Sequence, residues 1–186
     1  MKKDAEIFLN HLESLFGQED SIHKVESTHD GLPSVHYFIY HNTPEDGLMT
    51  AVTYGLSAAS HPDWKFGKPE LMICVESKDE SWALAVALFA ESFRGDKPFT
   101  YGSIFTTDNA ISEESAMSAF LVFGPPGLEK EDATVQLQET KIHIAGFYPI
   151  YAGEIELYRK IGLKEFWHLE DFDPINITRR DLSTAS

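Results

Sequence analysis

Cysteine, basic residues and long apolar runs are scarce in this chain of 186 residues, and each scarcity excludes something. Cys74 is the only cysteine, so no internal disulfide can form and no site can draw on two thiolates. It lies in a predicted core strand, where a thiol behaves as a small apolar group. Lys and Arg number 15 against 30 Asp and Glu, a formal charge of −15. That balance argues against nucleic acid or an anionic membrane as partner. It favours a basic partner, or serves solubility. The apolar stretch Trp82–Phe93 falls short of the roughly 20 residues that cross a bilayer. After Lys2 and Lys3 come Asp4 and Glu6, with no apolar segment of the signal-peptide kind, so a cytoplasmic protein is expected. There is no internal repeat, no Gly/Ser-rich linker and no low-complexity block. With 42% apolar residues the chain is expected to fold as one domain over 1–186.

What is present centres on residues 70–95. Leu71-Met72-Ile73-Cys74-Val75 is an unbroken apolar run of strand length, as expected of a strand buried on both faces. Ser77 and Glu80 have the spacing of a capping box. From Trp82 to Phe93 only Glu91 and Ser92 are polar, which predicts a helix buried nearly all round. Arg94 suits the last carbonyls, and Gly95 suits the left-handed stop.

Before this unit, residues 3–16 read as an amphipathic helix with Phe8, Leu9, Leu12, Leu15 and Phe16 on one stripe and Gly17 as its stop. Ile22–Glu26, Val35–Tyr40 and Leu48–Gly55 read as strands, the last two pairing across the turn Asn42–Gly47. Ser57–Lys68 is a loop holding His61-Pro62-Asp63-Trp64. After the central unit, strands are expected at Ser103–Thr107, Ala119–Phe123, Thr134–Leu137 and Lys141–Ile150. Gly146 and Pro149 suggest a bulge and an exit from the sheet in the last of these. Glu154–Ile161 reads as an amphipathic helix stopped by Gly162. A tail over 168–186 follows, with an acidic patch (Glu170, Asp171, Asp173) and a basic pair (Arg179, Arg180). The fold class is α+β: a mixed, mainly antiparallel sheet with packed helices.

Candidate chemistry is thin. Eight histidines invite a metal site, but His36 and His41, five apart on or beside one strand, face opposite sides of it. No pair has the helical spacing of a zinc site, so no metal or other cofactor is expected. Gly55-Leu56-Ser57-Ala58 follows a strand as a nucleophile elbow would, but the G-x-S-x-G pattern fails at Ala59 and Pro62 breaks the next stretch. A hydrolase using Ser57 with His61 as base is the enzymatic alternative. The bland reading is a strand end whose Ser satisfies nearby backbone groups. The carboxylate pairs Glu45-Asp46, Glu113-Glu114 and Glu131-Asp132 lie in predicted turns and connectors, where solvated charge explains them. Gly124-Pro125-Pro126-Gly127 cannot cradle phosphate, because two prolines remove the N–H groups needed.

The order of these pieces resembles the Suppressor of fused family over about residues 30–165. The resemblance rests on the turn Pro44-Glu45-Asp46-Gly47 and on the strand ending Thr53-Tyr54-Gly55-Leu56-Ser57. It extends through Pro69-Glu70-Leu71, the helix with Trp82 and Ala83, and Gly102 with its polar sequel. Phe120–Pro125, the strand from Val135 to Pro149, and Glu154 with Leu157 complete it. It implies a non-enzymatic protein-binding domain. In animals the family regulates Hedgehog signalling by binding transcription factors of the Gli type. This chain resembles only the N-terminal domain of those proteins, so Gli-type binding is not carried over. Single-domain members of this sort look bacterial, and there the resemblance implies an immunity protein that neutralises a toxin, often a nuclease.

The sequence is therefore read as an immunity-type protein that binds a basic toxin domain, its acidic surface mimicking phosphates. Trp64, with His61 and Asp63, is the candidate anchor, packing on the sheet edge being its bland reading. Glu129, Glu131 and Asp132 are the candidate electrostatic rim. The runner-up is an intracellular regulator that captures an extended peptide by strand addition.

Overall fold

The computed structural model describes residues 2–184. Its frame is one mixed sheet of eight strands: β1 (Ser21–Val25), β2 (Val35–His41), β3 (Met49–Tyr54), β4 (Lys68–Val75), β5 (Ile104–Thr106), β6 (Ala119–Phe123), β7 (Thr134–Gln136) and β8 (Lys141–Ile150). The spatial order is β1-β2-β3-β4-β8-β6-β5, with β7 pairing β8 beside it. Only β4 and β8 run parallel, and the long stretch between them supplies the crossover that a parallel pair needs; the other pairs are antiparallel. Three helices, α1 (Lys2–Phe16), α2 (Ser81–Phe93) and α3 (Glu154–Trp167), complete it.

The apolar run in β4 is explained by two-sided burial. Leu71, Ile73 and Val75 face α2, joining Trp82, Val86, Phe120 and Phe147 in the largest core. Met72 faces the other side, where Phe8 and Leu12 of α1 pack on Phe38, Tyr40 and Val52. Phe8 and Leu12 are fully buried, and each contributes about 1.5–3 kcal/mol by leaving water. A third core forms where Ile155 and Phe166 of α3 meet Ala119, Leu121 and Ile150.

Several expectations are corrected. The capping box does not form, because α2 begins at Ser81 with Glu80 at its N-cap and no side-chain cap bond. Ser77 accepts from the Asp79 N–H and donates to Glu114, while Ser112 donates to Asp79 at 2.5 Å. These tertiary bonds hold the cap candidate elsewhere. Nor is α2 buried all round: Leu84 and Leu88 are exposed, because the sheet covers one side of the helix only. Arg94 turns away from the helix end and is buried, donating to the carbonyls of Pro33 and Gly55 and pairing with Glu91 at 2.5 Å. Gly95 takes the positive φ expected of a stop.

β8 neither bulges nor leaves the sheet at Gly146. It keeps unbroken register with β6 from Gly146 to Ile150. Pairing with β4 ends at Gly146, which frees one side of β8 where the missing N–H of Pro149 is tolerated. Gly162 does interrupt α3, at φ 85° and ψ 168°, but helix resumes to Trp167. The tail folds back on the domain, burying Phe172, Ile177 and Leu182. Among the described residues no helix is long and apolar enough to cross a membrane.

Candidate functional site

Four separate pieces of chain converge on one groove of about 640 Å³: the loop 63–67, the segment 98–101, the segment 124–134, and the floor His143–Ala145 of β8. The loop is built from within. The Trp64 N–H donates to the His61 carbonyl, and the Asp63 N–H to His61 Nδ1. Trp64 Nε1–H donates to the Pro98 carbonyl at 2.7 Å, and its ring packs on the main core, so Trp64 is half-buried and holds the loop. His61 lies against the Trp64 ring with centroids 5.8 Å apart. Asp63 is exposed at the mouth.

The other end of the loop is fixed from β8. His143 Nε2 lies 3.1 Å from the Phe66 carbonyl, which can only accept, so this nitrogen carries the proton. Gly67 passes the ring so closely that a Cβ would sit 2.4 Å from His143 Cδ2, and its φ of +153° suits glycine alone. Held at both ends, the loop projects Phe66, which is 88% exposed. Tyr101, 58% exposed, also lines the groove.

The expected rim residues do not themselves line the groove; their neighbours on the same turn do. Leu128, Lys130 and Ala133 line the groove, while Glu129, Glu131 and Asp132 stand exposed on the intervening turn. That turn is ordered by the Ala133 N–H to the Glu129 carbonyl and by His11 Nε2, 2.7 Å from the Asp132 carbonyl. The loop and the turn that carry the candidate residues, distant in sequence, thus border one groove, though of those candidates only Asp63 and Trp64 line it. Phe66 is not among the residues expected at the site; its signal in the sequence is a large aromatic set between Lys65 and Gly67 in a Pro-broken loop.

Ser57 and His61 do not form a dyad. The Ser57 hydroxyl donates to Glu70 at 2.6 Å, and among the described residues no hydrogen bond joins it to His61. Glu70 is fully buried and also accepts from the N–H groups of Gly55 and Ser57 and from the Thr53 hydroxyl. Burial raises its pKa above the ordinary carboxylate value, against these bonds, which lower it, Ser57's hydroxyl foremost. Glu70 closes the end of β3, so the Ser57 hydroxyl serves this buried side chain and not the nearby backbone groups expected of it. Among the described residues no group of three or more His, Cys, Asp or Glu is arranged to hold a metal.

Residues 31–181 match the family Suppressor of fused protein (SUFU). No curated protein matches by sequence. Among solved structures, a Suppressor of fused homolog from Neisseria gonorrhoeae superposes with a TM-score of 0.73 at 17% identity, over 97% of each chain. Drosophila Suppressor of Fused gives 0.68 at 12% identity over 96% of this chain, which spans 50% of that protein. A chain of the Sufu–Fu complex gives 0.68 at 11% identity, over 96% of this chain and 91% of that one. The chain belongs to the Suppressor of fused family.

Proposed function

We propose that this Suppressor of fused family member is a non-enzymatic protein-binding domain, and that it works in the cytoplasm as an immunity protein against a basic toxin domain, such as a nuclease. The observation that carries the reading is the groove bordered by Phe66 and Tyr101, the two most exposed of the large apolar side chains among the described residues. Exposed aromatics beside a groove are the usual anchors of protein interfaces. Among its structural neighbours, Sufu is solved as a complex with Fu. The charge of −15 suits a basic partner, speeding encounter and rejecting acidic competitors. Lys65 and Lys130 interrupt the acids at the groove itself, so the attraction belongs to the whole surface and the affinity to the aromatics.

The reading is tested by capture on the tagged protein from its own organism's lysate at low and moderate salt. A single stoichiometric partner with a basic toxin domain, bound less as salt rises and lost from the Tyr101→Ala variant, supports it. Co-expression should then relieve that partner's toxicity. Recovery of abundant basic proteins alone contradicts it.

A second reading rests on β1. This edge strand pairs with β2 alone, and among the described residues its outer edge takes no backbone bond. It would capture an extended peptide by strand addition. Binding of an unstructured peptide that survives high salt would favour it.

A further inference from the structure

Thr134 and His143 are partners in the β7–β8 register, and the hydroxyl of one lies 3.3 Å from Nδ1 of the other. Both side chains already make a bond elsewhere. Nε2–H of the ring donates to the Phe66 carbonyl at 3.1 Å, and the Thr134 hydroxyl donates to the Lys130 carbonyl at 2.9 Å. A hydroxyl has one hydrogen to give. While the ring is neutral, that hydrogen serves either Lys130 or Nδ1, and the other acceptor goes without. Once the ring is charged, both of its nitrogens donate. Nδ1–H then gives to Thr134, Thr134 gives to Lys130, and every bond in the row is made. We propose that His143 is an acid-closed clasp of the groove, its protonation tying the loop 63–67 to the segment 124–134.

Position makes the clasp consequential. Phe66 and Lys130 line the groove from two segments distant in sequence, and the row of bonds joins them through His143 on the floor. Gly67 crosses the ring edge with no room for a Cβ, so the ring and the loop are held close. The charged groups around the ring leave its hydrogens to neutral oxygens. Asp63, Tyr101 and Lys130 line the same groove. β4, beside β8, brings Lys68, whose Nζ donates to the Ala59 carbonyl at 2.7 Å. β7 brings no charge, β8 itself brings Lys141, and Glu129, Glu131 and Asp132 stand exposed on the turn. Among the described residues no carboxylate bonds the ring. His11 also titrates beside this turn, but its Nε2 faces the Asp132 carbonyl and donates in either state, so charging it adds no bond there.

An imidazole changes charge between about pH 5 and 8. The clasp is closed on the acid side of that range and incomplete on the alkaline side. Its consequence for a partner, a groove held more firmly in acid, rests on the groove being the binding face. The clasp itself belongs to the protein alone and is tested there.

The test is urea denaturation of the wild type and of Thr134→Val at about pH 5.5 and about pH 8, with the same pair repeated in a His143→Gln background. Valine keeps the branched shape and removes the hydroxyl. Groups that the compared proteins share, Glu70 and His11 among them, cancel in each comparison. Expected is a loss in the folding equilibrium constant on Thr134→Val that is about fivefold greater at the acid pH, the net worth of one hydrogen bond. In the His143→Gln background the loss should be the same at both pH values. A loss that does not grow toward acid overturns the proposal, and so does one that grows as much in His143→Gln.

Discussion

Arg179 reaches back 25 residues to grip both carboxylate oxygens of Glu154, at 2.5 and 2.8 Å, in a buried site. Glu154 also accepts from the N–H groups of Tyr151 and Leu182, and the Arg179 guanidinium lies over the Phe172 ring at 4.9 Å. One carboxylate thus ties the start of α3 to the end of β8 and to the returning tail. Breaking a buried pair from one side leaves the other charge unpaired and costs about 3–5 kcal/mol. Glu154→Ala should lower the melting temperature and open residues 168–184 to limited proteolysis first. A variant that melts like the wild type with its tail still protected contradicts this role.

Glu70 makes stability depend on pH. Its folded pKa lies above the unfolded value, so the folded state holds the proton more tightly. The stability this contributes is fully present below the unfolded pKa and is lost as pH rises through the folded one. In Glu70→Gln that component is removed. The difference in unfolding free energy, wild type minus Glu70→Gln, measured by urea denaturation from about pH 4 to about pH 8, should fall with rising pH. A difference that rises or stays flat contradicts the assignment.

Gly67→Ala should displace the His143 ring, since the added Cβ and the ring cannot share the space. With the positive φ, the cost is about 2–3 kcal/mol. The bond from His143 to the Phe66 carbonyl is lost with it, and proteolysis within 61–67 should accelerate. Unaltered stability and cleavage would show that the loop is not held from β8.

Ser57 is structural. A fluorophosphonate probe should leave it unlabelled, and Ser57→Ala should lower stability by about 1–2 kcal/mol through loss of its bond to Glu70. Labelling of the wild type that disappears in Ser57→Ala would revive the hydrolase.

Where structure follows from local pattern, the sequence was legible. Val35–His41 and Met49–Tyr54 pair across the expected turn, and the stripe Phe8–Leu12 faces the sheet. What was missed depends on distant partners. Ser77 has the residue and spacing of a cap, yet Glu114, 37 residues on, takes its hydroxyl. Leu84 and Leu88 look like core, but burial requires a second layer that this side of α2 lacks. Arg179 reads as half of a basic pair in the tail until Glu154 is brought beside it. The groove is the clearest case. His61, Asp63 and Trp64 were legible as a loop with an aromatic, and Glu129, Glu131 and Asp132 as an acidic turn. That they border one cavity, and that Phe66 rather than Trp64 stands in solvent, is set by Pro98 and by His143, 77 residues beyond Phe66.

The most direct test of the account is hydrogen–deuterium exchange of the protein with and without the partner captured at low salt. Slowed exchange confined to residues 61–67, 98–101 and 124–134 is the expected result. Protection concentrated on β1, or on the outer face of α2, with these segments unchanged, would contradict the groove as the binding face.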